Sequence, residues 1–309
     1  MTFSQHDSGR DPLPQSRPQP LLRSASLRQF PERPVSATAP WRLSIGEHAL
    51  EGANLPDRTA AATNYGWQHI GLVRTSVWSH GEEQLRELLS DQNLSVSSLG
   101  WTGGFTGSAG FSYREAIDDG RQAIHEASLL GAETLLVAPG SRAGHTFRHA
   151  QRVIVDGVRH LSDFAARHRV RLAVLTQPMG RSSQKLSGLE SLELAEQFLD
   201  QVESPWVGLV VPIESWLRQQ SNEAAWQTLA PRIQMVISSL RMTTSSPTWE
   251  NCDESTGDVA ALFQLLKLSG FRGQWELEAG RQAGMAASPN SSCRPLNRRA
   301  SYYASFASQ

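Results

Sequence analysis

Two carboxylates stand two residues apart in the short apolar run Gly273-Gln-Trp-Glu-Leu-Glu, at Glu276 and Glu278. The side-chain period of a strand puts both on one face. If that face turns inward, the acids need partners, which Arg142, Arg241 or serine hydroxyls can supply. Paired carboxylates suit proton transfer or ligation of a hard cation, and Glu214 adds a third if its loop folds inward. Two glycine-bearing stretches offer binding groups instead. In Gly100-Trp-Thr-Gly-Gly-Phe-Thr-Gly107, glycines let backbone amides approach a ligand, and Trp101 presents the apolar face on which a sugar stacks; the plainer reading is a loop that only turns the chain. In Pro139–His149, Arg142 suits an anionic or polyhydroxy ligand. His145 and His149 are one helical turn apart, but no acidic third ligand accompanies them, which favours capping and packing over metal binding.

These residues need elements to hold them. Short Val-, Leu- and Ile-rich runs at 42–45, 69–73, 95–99, 134–138, 171–175, 207–211, 233–238 and 274–278 have the character of strands buried on both faces of a parallel sheet. Helix-like stretches lie between them at about 82–92, 112–131, 146–168, 188–203, 219–230 and 257–269. In the second, Ala116, Ala123, Ala127 and Leu130 recur at helical spacing and Gly131 marks the stop. Eight alternations favour closure into a (β/α)8 TIM barrel over an open sheet, and closure leaves no edge strand to protect. In such a barrel the chemistry sits at the C-terminal ends of the strands, where the stretches after the third and fourth strands fall.

Composition narrows the classes further. The chain has 309 residues and a formal net charge of −1, so no basic stripe for duplex nucleic acid is expected. No apolar run approaches the length of a membrane span, and no secretory signal is visible at the start, so a soluble, cytoplasmic protein is expected. Its two cysteines, Cys252 and Cys293, make neither a disulfide framework nor a metal finger, and Cys252 lacks the setting of a nucleophile. Residues 1–40 hold seven of the 16 prolines, together with Arg10, Arg17, Arg23, Arg28 and Arg33, and read as a disordered tail. Residues 41–285 form the barrel, and 286–309 form a tail or last helix. Trp41, Trp67, Trp78, Trp226 and Trp275 adjoin element ends and are expected to pack between helices and barrel.

The runs Leu99-Gly-Trp-Thr-Gly-Gly-Phe-Thr-Gly-Ser, Tyr113-Arg-Glu-Ala-Ile-Asp-Asp, Leu130-Gly-Ala-Glu-Thr-Leu and Gly144-His-Thr-Phe-Arg-His-Ala resemble the xylose isomerase-like TIM barrel family, over about residues 41–285. The likeness is nearest to its sugar (phosphate) isomerase/epimerase branch. It implies a small sugar or sugar phosphate as ligand. It also implies a divalent cation (Mn²⁺, Mg²⁺ or Co²⁺) held by a carboxylate after strand five, an Asp after strand six, a His on strand seven and a Glu on strand eight. The last position matches Glu278, the retained metal-ligand and catalytic carboxylate. The other three differ: Gln177 stands in Leu172–Met179, Glu214 follows Pro212-Ile213, and Val236-Ile-Ser-Ser239 replaces the His. The resemblance therefore implies an isomerase or epimerase with an impaired cation site, or else a carbohydrate-binding barrel without catalysis. Trp101, Arg142, His145, Gln177, Glu214 and Glu276 are the expected substrate-binding residues. The oligomeric state stays open.

Overall fold

The computed structural model describes residues 42–50, 52–107, 110–176, 189, 191–213, 223–240, 261–262 and 264–279. Eight parallel strands pair in chain order and close, β1 on β8. They are β1 (Arg42–Gly46), β2 (His69–Val73), β3 (Ser95–Gly103), β4 (Thr134–Ala138), β5 (Arg171–Leu175), β6 (Val207–Pro212), β7 (Ile233–Leu240) and β8 (Gln274–Ala279). Helices α1 (Leu55–Asn64), α2 (Arg74–His80), α3 (Glu82–Asp91), α4 (Tyr113–Leu129), α5 (Phe147–His168), α6 (Leu192–Val202) and α7 (Glu223–Leu229) lie between them, and residues 264–268 are also helical. This is a (β/α)8 barrel, as the strand periodicity predicts. No helix among the described residues is long and apolar enough to cross a membrane.

Helix starts follow local chemistry. Asn54, Thr146 and Ser191 cap α1, α5 and α6 through their side chains, while Ser112 and Glu115 form a capping box on α4. Alternation along each strand sorts the apolar residues into two cores. Leu43, Ile45, Leu99, Leu135, Leu172, Leu209, Val236, Trp275 and Leu277 face outward and pack with the helices. Leu136, Ala173, Leu175, Val210, Met235 and Ile237 fill the lumen on the β4–β7 side, and Trp101 packs against them.

Three expectations need correction. β3 runs on to Gly103, so Gly100–Gly103 belongs to a strand rather than a loop. Helices α1 and α2 have no counterpart among the stretches expected to be helical. Trp67, Trp226 and Trp275 are buried, but Trp78 is 58% exposed, because it lies over the Arg74 guanidinium at the surface instead of between layers. Trp41, Arg241, both cysteines and the segments 1–40 and 286–309 lie outside the described residues.

Candidate functional site

The lumen is two-faced. Opposite the apolar β4–β7 side, β8, β1, β2 and β3 contribute Glu276, Glu278, Ser44, Gly46, Gly71, Ser97 and Ser98. Both glutamates lie across glycines of neighbouring strands. A Cβ on Gly46 would stand 2.5 Å from the Glu278 carboxyl carbon, and one on Gly71 would stand 2.4 Å from Glu276 Oε2. Each missing side chain is the space a carboxylate fills.

Glu276 is 1% exposed, and its Oε2 accepts from Ser44, Ser97 and Ser98 Oγ at 3.2, 3.1 and 2.9 Å. Successive strand residues normally face opposite ways. A bulge lets both Ser97 and Ser98 point inward: Ile70 pairs with Val96 and Gly71 with Ser98, leaving Ser97 extra. Burial pushes the Glu276 carboxyl up from its ordinary value, against the three hydroxyls that favour its charge. Of the partners expected for the two acids, the serines are the ones that serve Glu276. It sits buried among them, one layer below Glu278 on β8.

Glu278, one layer higher, is half-buried at the C-terminal end of β8. A second bulge puts Trp101 into the same mouth. Gly100 pairs with Leu136 and Thr102 with Val137, so the indole is carried by an extra residue and packs on the apolar half. Level with Glu278, the register places Ser239 of β7, while Leu175, Pro212 and Gly46 share the inward face of their strands. Thr176, next after β5, donates its hydroxyl to Val210 O at 3.3 Å. No group of three His, Cys, Asp or Glu side chains able to hold a metal occurs among the described residues. The described residues alone do not make up a donor set for a divalent cation. Gln177 and Glu214 lie outside the described residues.

The rim beside Trp101 is stitched together. Thr106 donates its hydroxyl to Ser141 O, His145 Nε2 lies 3.2 Å from Thr106 O, and Gly104 N–H reaches Ala138 O at 2.9 Å. His145 and His149 rings sit 4.8 Å apart, and Arg152 contacts His149 Nδ1 at 3.0 Å. Both histidines thus contact groups of the rim and of α5. Arg142 is exposed on the turn that His145 N–H closes onto its carbonyl at 2.8 Å.

Two clusters escaped the sequence reading. Glu47, just after β1, is 1% exposed; its Oε1 accepts from Ser76 Oγ at 2.7 Å with Arg58 at 3.7 Å, while Oε2 has no hydrogen-bond partner among the described residues. Burial raises its carboxyl above the ordinary value, against Ser76, the Val73 backbone, Arg58 and His80. A raised folded value makes the native state hold its proton more tightly than the unfolded chain. Stability from this group is therefore complete below the ordinary carboxylate range and is lost as pH rises through the folded value. Glu47→Gln should flatten that part of the stability profile above the ordinary carboxylate range, read by urea unfolding; an unchanged slope would contradict the assignment. The second cluster is Arg74, 4% exposed between β2 and α4, where it meets Glu126 at 2.7 Å and Asp119 at 2.6 Å. Asp119 also accepts from Thr102 Oγ1 at 2.6 Å, which ties the outer side of β3 to α4 directly behind Trp101.

A family model described as "Xylose isomerase-like TIM barrel" matches residues 59–293. No curated protein sequence matches the chain. Among solved structures, a 3-keto-D-glucoside 4-epimerase from E. coli superposes with a TM-score of 0.67 at 14% identity, over 86% of this chain and 99% of that one. A D-allulose 3-epimerase from Methylomonas sp., in complex with D-allulose, gives 0.62 at 17% identity, over 80% and 84%. A xylose isomerase-like TIM barrel/4-hydroxyphenylpyruvate dioxygenase fusion protein gives 0.65 at 16% identity, over 84% of this chain but 42% of that one. At these identities the likeness is one of fold.

Proposed function

The chain belongs to the xylose isomerase-like TIM barrel family, and from that premise we propose that it binds a sugar or sugar phosphate in the barrel mouth, as a member of the isomerase/epimerase line with weakened or lost metal-dependent catalysis. The observation that carries this reading is the set of groups around Glu278. One carboxylate stands across Gly46, while Leu175 and Pro212 occupy described inward positions at the ends of β5 and β6. Neutral and apolar groups do not offset the charge of a divalent ion. The same surroundings suit a polyhydroxy ligand. Trp101 offers the stacking face, Glu278 accepts from hydroxyls, Arg142 on the rim supplies donors for a phosphate, and His145 beside it leaves its second ring nitrogen to a further hydroxyl. A second reading, an active isomerase or epimerase, is favoured by the retained Glu278 carboxylate, which would then move the proton on carbon.

Thermal unfolding of the chelator-stripped protein separates the two. A ligand bound only by the folded state adds about 2.7 kcal/mol at a hundredfold excess over its dissociation constant, or a few degrees in midpoint. The binding reading expects a shift with one of a panel of ketoses, aldoses and their phosphates, and none with Mn²⁺, Co²⁺ or Mg²⁺ up to millimolar concentration. A saturable metal shift abolished by Glu278→Gln would instead establish the active enzyme. No shift with any sugar, phosphate or metal would remove both.

A further inference from the structure

We propose that Glu276, Gln274, Ser44, Ser97 and Ser98 on the barrel floor form a site for one monovalent metal cation. Glu276 and Gln274 are 1% and 5% exposed and share the inward face of β8, and on each the Oε1 oxygen has no hydrogen-bond partner among the described residues. Residues two apart on a strand are about 7 Å apart along it, so Gln274 lies one layer below Glu276 on the same face. The three serine hydroxyls use their hydrogens on Glu276 Oε2 and keep lone pairs for a cation. All the donors are oxygens: one carboxylate, one amide carbonyl and three hydroxyls. That set selects hard cations over zinc or copper.

Charge sets the valence. Among the described residues no Lys, Arg or His side chain is hydrogen-bonded or ion-paired to Glu276. Arg42, at the foot of β1 and in register with Gln274, is engaged with Glu133 on the outer rim. An ionised carboxylate this deeply buried needs a counter-charge, and one positive charge balances it. The two acids of β8 do not share the ion, because Glu278 leans over Gly46 on β1 while Glu276 leans past Ser44 onto Gly71 on β2. The bulge at Ser97 gains a purpose here, since it turns one more oxygen toward a single point. The site does not depend on the sugar reading.

The test is the unfolding midpoint of the full chain in KCl, NaCl and LiCl, with choline chloride holding ionic strength constant. The expected result is a saturable rise of at least about 3 °C in one alkali salt that choline does not reproduce. Glu276→Gln removes the dependence on cation, and Ser98→Ala, a milder change, raises the half-saturating salt concentration about tenfold. Midpoints that are identical in potassium, sodium, lithium and choline overturn the proposal. So does an alkali-ion response that persists unchanged in Ser98→Ala and Glu276→Gln, which would place the ion elsewhere. A midpoint that follows pH but not the choice of cation also overturns it, in favour of a bound proton.

Discussion

Replacing Arg74 with Met is expected to lower the unfolding free energy by about 3–5 kcal/mol, the range for removing one partner of a buried ion pair. Glu126 is 2% exposed and would keep Trp78 Nε1 at 3.1 Å and Gln122 Nε2 at 2.9 Å, but neither carries charge. Asp119 would keep only the Thr102 hydroxyl among its present partners. Burial works against the Arg74 charge, yet the bonds to Glu126 and Asp119 hold its guanidinium pKa above the ordinary value. Urea denaturation at pH 7 measures the loss. The double variant Arg74→Met/Glu126→Gln should recover much of it. A single variant within about 0.5 kcal/mol of the parent, a typical surface effect, would show that this cluster holds nothing together.

Gly103→Ala is the second large effect. A Cβ there would stand 2.0 Å from Ala138 O, at a φ of +126°. The obstructing atom is backbone and accepts from Gly104 N–H at 2.9 Å, so it has little room to retreat. A loss of about 3 kcal/mol is expected, combining overpacking with unfavourable dihedrals. Gly131→Ala makes the control: φ is +68° and nothing lies within 4 Å of the added carbon, so about 1 kcal/mol of strain is all that is expected. Equal losses at the two glycines would contradict the steric argument. Gly103→Ala should also weaken the proposed sugar binding, because Trp101 sits two residues earlier on the same strand.

Most of the eight strands were legible because they are short runs rich in β-branched and aliphatic residues buried on both faces, a pattern that needs no partner to be recognised. The end of β3 was not. Gly100-Trp-Thr-Gly103 has the composition of a turn, and it is held extended by β4, whose position no local pattern reveals. Helix α2, Arg74–His80, is seven residues long and begins at an arginine that packing buries, so it falls below the length at which periodicity speaks. Helix α1 carries a cap at Asn54 and a Pro in its first turn, signals that mark a start without an apolar stripe to follow. In the site, the inward pairing of Glu276 with Glu278 followed from strand period alone. What surrounds Glu276 did not, because Ser98 and Ser44 are 178 and 232 positions away. Glu47 looked like any surface acid, and only the convergence of α1, α2 and the end of β1 encloses it.

The bond between Ser44 and Glu276 also bears on how the molecule is made. It joins the first strand to the last, so a chain leaving the ribosome presents β1 long before its second neighbour exists. Until β8 emerges, one edge of β1 has no partner and Leu43 and Ile45 have only part of their cover, the condition under which nascent chains associate wrongly. Ring closure is then a late event spanning most of the polypeptide, and contacts of such long range make folding slow. Vectorial synthesis thus gives this barrel a long open-ended interval, and the last acidic strand brings it to an end.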